Sequence, residues 1–325
     1  MRNELSQFVP PAPRFTEKDV SDQEGRVFLV TGASSGVGKQ LAKLLYGLNA
    51  TIYLASRTES RAITAIDEIR AAHPSSRGAL HFLEIDLEDF ASVARAAKQF
   101  LQREERLDIL FNNAGTMMPP EDAKTKQGYD LQLGSNAMAP LLFTQLLTPI
   151  LAKTAKLREP GGVRVIWVSS SAAELATPKN GIDLNNLDFK KPVPNATKYG
   201  VSKAAMLLLA LEYAKREKNN GIVTVPLNPG NLKTDLRRHV NWLLSTIFDW
   251  MSHDPIKGAY TELFGGFSAD ITLENSGCWV IPWGRFGPLR QDLADAAKSP
   301  SEGGTGIGAK LWEWCEEQIR PYKTA

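Results

Sequence analysis

Val27-Phe28-Leu29-Val30-Thr31-Gly32-Ala33-Ser34-Ser35-Gly36-Val37-Gly38 is the stretch whose reading decides the fold. Its first four residues are a short continuous apolar run, the pattern of a strand buried on both faces of a parallel sheet. Glycines follow, and then Leu41, Leu44, Leu45 and Leu48 fall at helical spacing. Strand, glycine-rich turn and helix therefore succeed one another. Such a turn allows close backbone approach, and the helix N-terminus behind it offers unpaired N–H groups and a partial positive charge, which suits a dinucleotide's phosphates. The spacing is Gly-x-x-x-Gly-x-Gly, not the commoner Gly-x-Gly-x-x-Gly. A turn that only lets helix pack on strand is the competing reading, and placement directly after the first strand weighs against it.

Working outward, the alternation repeats. Further strands are expected at 51–55, 80–85, 107–111, 163–168, 222–225 and 278–281, with helix-length segments at about 58–72, 89–104, 128–153, 197–219 and 255–268. Alternating strand and helix implies right-handed crossovers and an open α/β, doubly wound parallel sheet with helices on both faces. Residues 1–24, with Pro10, Pro11 and Pro13 and charges of no helical period, read as a flexible N-terminal arm. Residues 25–325 read as one domain, with a substrate-side extension over about 235–325. Within it, 282–308 reads as Gly- and Pro-rich loop, and 310–319 as a terminal amphipathic helix carrying Leu311, Cys315 and Ile319 on one face.

The 325 residues are 43% hydrophobic, too apolar for a disordered chain. With 38 basic against 36 acidic side chains, the charge is too balanced for a protein that binds nucleic acid through a basic surface. Two cysteines, Cys278 and Cys315, make no disulfide framework, and no Cys/His grouping has zinc spacing, so no metal is expected. The N-terminal residues lack the apolar core of a signal peptide, and no window approaches the roughly 20 apolar residues that span a bilayer. The expectation is a soluble cytoplasmic protein.

The chemistry-bearing residues cluster at the carboxyl ends of the expected strands, where open α/β sheets bind ligands. The second strand ends Ser56-Arg57 with no acid to bond a ribose 2′-OH. A guanidinium forks onto a phosphate, so Arg57 favours NADP(H) over NAD(H); a solvated surface arginine is the alternative. Asp86 closes the third strand and Asn112-Asn113-Ala114-Gly115 the fourth, either facing a ligand or capping the next helix. Tyr199 and Lys203, four apart, share one helix face. A phenol titrates near 10 and becomes a useful acid/base only beside a positive charge, which Lys203 supplies, although the same spacing recurs on many helices. Ser170 ends the fifth strand, where it either holds a substrate oxygen beside Tyr199 or caps a helix. Asn136 sits in an apolar stretch and needs partners if buried.

Taken together, these residues resemble the short-chain dehydrogenase/reductase family over roughly 26–235. The motifs are Thr-Gly-x-x-x-Gly-x-Gly at 31–38, Asp86, Asn-Asn-Ala-Gly at 112–115, Asn136, Ser170, Tyr-x-x-x-Lys at 199–203, and Asn228-Pro229-Gly230 followed by Thr234. Gly128-Tyr129 before Asn136, and the spacing of Ser170 from Tyr199, look most like the branch of retinol dehydrogenases and WW-domain-containing oxidoreductases, though without a WW domain. Ala139 departs from that branch, which often has Gly there. The resemblance implies a Rossmann fold and a catalytic set of Tyr199 as general acid/base, Lys203 lowering its pKa and orienting the ribose, Ser170 polarising the substrate oxygen, and Asn136 supporting a proton relay. It implies cofactor contacts from Gly32, Ser34, Ser35, Gly36, Val37, Gly38, Arg57, Asp86, Leu87, Asn113, Ala114, Gly115, Tyr199, Lys203, Pro229, Gly230 and Thr234. The expected function is an NADP(H)-dependent carbonyl reductase or alcohol dehydrogenase; a non-catalytic nucleotide sensor acting through partner binding is the rival.

Substrate choice is expected in the loop 172–196 and beyond Thr234. Residues 240–251 are rich in large apolar groups, and six of the seven tryptophans (242, 250, 279, 283, 312 and 314) lie after residue 240. An aromatic lid over a bulky hydrophobic small molecule is one reading. Core packing, a homo-oligomer interface and membrane-surface contact are the others.

Overall fold

The computed structural model describes residues 6–233 and 252–323. Strands β1 (Val27–Thr31), β2 (Thr51–Ser56), β3 (Ala79–Glu84), β4 (Ile109–Asn112), β5 (Val163–Val168), β6 (Ile222–Leu227), β7 (Val280–Ile281) and β8 (Arg285–Phe286) form one sheet in the order β3-β2-β1-β4-β5-β6-β7-β8. Every pairing is parallel except β7 with β8. The order reverses between β1 and β4, where Val30 sits beside Phe111, so the crevice for a ligand opens at the carboxyl ends of these two strands.

Burial explains the strand composition. β1, β4, β5 and β6 are buried along their whole length, because helices cover both faces. One face carries α1 (Gly36–Gly47), α2 (Glu59–Ala72) and α7 (Pro255–Phe267), closing on Phe28, Leu54, Phe111 and Val225. The other carries α3 (Phe90–Arg103), α4 (Ala139–Ala155) and α6 (Asn195–Glu217), with Phe100, Phe143, Trp167 and Tyr213 fully buried. Each such side chain contributes roughly 1.5–3 kcal/mol by leaving water, and together they fix the strand ends that carry the chemistry. Short α5 (Ala172–Leu175) follows β5, and α8 (Gln291–Ala297) and α9 (Ile307–Ile319) complete the chain.

Three expectations are corrected. Residues 6–24 lie packed along the domain: Gln7, Val20 and Gln23 are buried, and the Phe15 ring meets Phe264 edge-on at 5.6 Å. Isolated side chains, polar as well as apolar, anchor this segment, whose only regular structure among the described residues is a helical turn at 6–8 and a 3-10 turn at Glu17–Asp19. Residues 282–308, read as loop, contain β8 and α8, both too short to leave a periodic signal. The helix expected at 128–153 begins at Leu131, where the Asp130 carboxylate accepts from the N–H groups of Gln132 and Leu133 at 3.0 and 3.1 Å. It passes through a π-helical turn, Gly134–Met138, before α4. Such a turn widens the helix locally and is frequent at functional sites.

Candidate active site

A cavity of about 600 Å³ opens at the sheet reversal, within the range of small-molecule and cofactor sites. One of its walls is the β1–α1 turn. Gly32 has φ +70° and Gly36 φ +56°, a left-handed conformation that side chains disfavour. Ser35 is the N-cap of α1 yet makes no side-chain cap bond, so the first N–H groups of α1 stay available toward the cavity that Gly32, Ser34, Ser35, Gly36 and Val37 line. Gly38 stands behind this wall. A Cβ there would lie 2.5 Å from Asn113 Nδ2 and 2.8 Å from Gly32 O, so its glycine serves packing of the turn.

The floor is bolted to the same turn. Asn113 Nδ2 donates to Thr31 O at 2.7 Å, and Ala114 N donates to Thr31 Oγ1 at 3.0 Å. Asn113, Ala114 and Gly115 also line the cavity, so the Asn side chain combines facing the crevice with holding the glycine turn. Asp86 and Leu87 lie on the wall, with Asp86 Oδ1 accepting from Glu88 N at 3.1 Å. At the tip of β2, Ser56 Oγ is buried without a hydrogen-bond partner among the described residues, and Arg57 Nη1 pairs with Glu88 Oε1 at 2.8 Å. All four of Ser56, Arg57, Asp86 and Glu88 border the cavity. Arg57 is thus shared with a carboxylate that the sequence reading did not single out.

Ser170, Tyr199 and Lys203 line the cavity together, on β5's carboxyl end and α6. Ser170 Oγ accepts from Ala172 N at 3.1 Å, which leaves its own hydrogen for an oxygen in the cavity. α6 is fastened to β5, since Ser169 Oγ donates to Lys203 O at 2.8 Å and Lys203 Nζ donates to Val168 O at 2.8 Å. Asn136 is fully buried behind the wall. Its Nδ2 donates to Thr116 O and to Ser202 Oγ, each at 2.9 Å, and its Oδ1 accepts from Thr116 N at 2.8 Å. The amide expected to need partners finds them in backbone and in a serine that itself donates to Tyr199 O at 2.7 Å. At Gly115 a Cβ would stand 3.1 Å from Asn136 Oδ1 and 3.2 Å from Lys203 Nζ, so only glycine keeps the space between those two groups clear. Pro229 and Gly230 close the far side, Gly230 N donating to Asn228 Oδ1 at 3.0 Å. Thr234 lies outside the described residues, as do Trp242, Trp250 and the 240–251 segment.

Residues 26–182 match the short chain dehydrogenase family profile. A short-chain dehydrogenase/reductase of Phomopsis amygdali is 46% identical over 327 residues, covering 99% of this chain and 98% of the relative. The chain belongs to the short-chain dehydrogenase/reductase family. A second member, from Emericella nidulans, is 44% identical over 95% of this chain and 97% of its own. Among solved structures, an uncharacterised protein from Mycobacterium paratuberculosis superposes with TM-score 0.65 at 25% identity, covering 94% of this chain and 97% of its own. An NADPH-bound carbonyl reductase from chicken fatty liver does so with TM-score 0.58 at 24% identity over 79% and 96%. This second likeness speaks for the fold.

In this short-chain dehydrogenase/reductase the buried charge beneath the cavity has a second member. Glu262 on α7 is wholly buried, and neither carboxyl oxygen has a hydrogen-bond partner among the described residues. Burial pushes its pKa up to about 8, against an opposing pull from Lys203. Burial likewise pushes Lys203 down to about 8, with Glu262 acting the other way. The signal in the sequence was a lone acid in the apolar stretch Ala259 to Phe267. None of the five described tryptophans lines the cavity, which corrects the expectation of an aromatic lid for the four beyond residue 240: Trp279 and Trp312 are buried in the core, Trp314 packs against its edge, and Trp283 covers Gly230. Apolar character comes instead from Phe8, Met117, Met118, Leu175, Ala176 and Leu232.

Proposed function

We propose that this chain is an NADP(H)-dependent oxidoreductase that interconverts a carbonyl and an alcohol on a bulky apolar small molecule, with Tyr199 as general acid/base. The observation that carries the reading is that Ser170, Tyr199 and Lys203 line one cavity together with the glycine turn and with Phe8, Met117, Met118 and Leu175. The glycine turn, the uncapped start of α1 and the orphaned Ser56 hydroxyl fit a dinucleotide, whose nicotinamide supplies or accepts the hydride when bound. In reduction, Ser170 donates a hydrogen bond to the carbonyl oxygen, and Tyr199 gives that oxygen its phenolic proton as the carbon receives the hydride. Lys203, charged in a dry pocket, stabilises the phenolate left behind. Asn136 holds the Thr116 backbone and, through Ser202, the Tyr199 carbonyl, which keeps the phenol oriented. Oxidation reverses each transfer.

The experiment is turnover of NADPH by the purified chain against carbonyls of increasing apolar bulk. A kcat/KM that rises with bulk supports the reading; a flat series removes the apolar substrate, and tight cofactor binding without turnover of any carbonyl or alcohol turns the assignment into a nucleotide sensor.

Arg57 underlies the cofactor preference. An exposed ion pair is worth about 0–1 kcal/mol, so the Glu88 pair is readily given up for a 2′-phosphate. Arg57→Ala is expected to weaken NADPH binding by about tenfold or more while leaving NADH within about twofold. Glu88→Gln, which frees the guanidinium and removes a negative charge near the phosphate, should tighten NADPH by a few-fold. Titration of both cofactors against the three proteins checks this. Tighter binding of NADH than NADPH by the unaltered chain would overturn the preference.

A further inference from the structure

We propose that residues 6–8 belong to the substrate site: Phe8 is a substrate-contacting, specificity-determining side chain, and Gln7 is the clasp that holds it over the cavity. The inference deepens the oxidoreductase reading and rests on it.

Phe8 lines the same cavity as Ser170 and Leu175, although it lies 162 positions before Ser170 in the chain. It is half-buried, whereas the next residue, Val9, is 81% exposed, so the chain turns one aromatic ring inward and then leaves. What holds it there is a polar bridge. Gln7 is buried; its Oε1 accepts from Asn228 Nδ2 at 2.8 Å and its Nε2 donates to Glu174 Oε2 at 3.1 Å. The carbonyl of Ser6 accepts from Arg285 Nη2 at 2.9 Å. A buried amide using both ends is specific in geometry and costly to disrupt.

The two partners of Gln7 are each the chain neighbour of a cavity-lining residue, Asn228 of Pro229 and Glu174 of Leu175. Asn228 also fixes the Pro229-Gly230 turn, through its bond from Gly230 N. Glu174 sits on α5, directly after Ser170, and its other oxygen accepts from Arg290 N at 3.0 Å. One glutamine therefore links the Pro229-Gly230 turn to the helix that follows the serine. A segment needed only for stability could cover any apolar surface; this one bridges two chain segments that line the cavity and supplies an aromatic ring to its lining. A flat ring with few rotatable bonds is suited to selecting extended apolar substrates at low entropic cost.

The test uses the full chain with NADPH and the straight-chain aldehydes from butanal to dodecanal, together with equilibrium binding of 1-dodecanol in the presence of NADP. Phe8→Ala is expected to lower kcat/KM for dodecanal by about tenfold, chiefly through KM, while butanal stays within about twofold and NADPH affinity is unchanged. Phe8→Leu should restore most of the loss. Gln7→Ala should reproduce the Phe8→Ala profile, because the ring loses its clasp. If both alanine variants keep the chain-length profile of the parent, the inference fails while the oxidoreductase reading stands. If the parent binds dodecanol, weakly so in Phe8→Ala, yet reduces no aldehyde, the substrate contact stands and the carbonyl reading fails. A uniform drop for short and long aldehydes alike would assign residues 6–8 to folding alone and overturn the proposal.

Discussion

Replacing Tyr199 by Phe is expected to lower kcat for carbonyl reduction by about 10²–10⁴-fold, with NADPH affinity within about threefold of the parent. The range is that of a positioned general acid/base, and at its upper end corresponds to about 5.5 kcal/mol of transition-state stabilisation. The substitution deletes one oxygen and leaves the ring, which is 8% exposed, so the packing of α6 on β5 survives. The fastening of that helix does not involve the phenol: Ser169 to the Lys203 carbonyl and Lys203 to the Val168 carbonyl both remain. Ser170 still donates to the substrate oxygen, so KM should move less than kcat. Kinetics and a thermal melt on the same preparation separate lost chemistry from lost structure. Parent-like turnover in a correctly folded Tyr199→Phe protein would remove Tyr199 from the mechanism.

How much of this was legible in the sequence follows from the range of each interaction. The doubly wound sheet was legible because strands buried on both faces are near-continuous apolar runs, a signature carried by β1 from Val27 to Val30, by β2 from Ile52 to Ala55, and by β5 with Arg164 as its one interruption. Ser170, Tyr199 and Lys203 were legible because strand ends and an i, i+4 helical spacing place side chains without knowledge of the rest of the fold. Gly38 and Asn136 were legible as residues but not as positions: each lies behind the cavity wall and acts on neighbours, Gly38 on Asn113 and Asn136 on Thr116 and Ser202. Glu88 was missed because its partner lies 31 residues away across two strand ends, and Gln7 because its partners lie 221 and 167 residues away. Contacts of that span leave no period or motif in one sequence. β8 and α8 were missed for the opposite reason, being too short for local pattern to rise above composition.

The core around Lys203 yields a prediction about pH. Glu262 passes from an ordinary value of 4.5 to about 8 on folding, so between these values the folded chain holds a proton that the unfolded chain has released. Stability must then fall as pH rises through this window, by at most about 1.4 kcal/mol per pH unit. Lys203 passes from 10.5 to about 8; here the unfolded chain holds the extra proton, so stability recovers as pH rises from about 8 toward 10.5. The pair therefore produces a minimum of stability near pH 8. Glu262→Gln keeps the shape and a polar head while removing the ionisation. Its baseline offset at pH 5, where the carboxyl is protonated, sets the reference, and relative to that offset the variant is expected to gain stability steadily up to pH 8. The same change withdraws the negative charge that favours the protonated lysine, so the alkaline limb of kcat/KM should move to lower pH. Melting temperatures and kcat/KM measured for both proteins from pH 5 to 9 decide it. Parallel stability curves would mean that Glu262 does not titrate in this window, and an unmoved alkaline limb would mean that its charge does not reach Lys203.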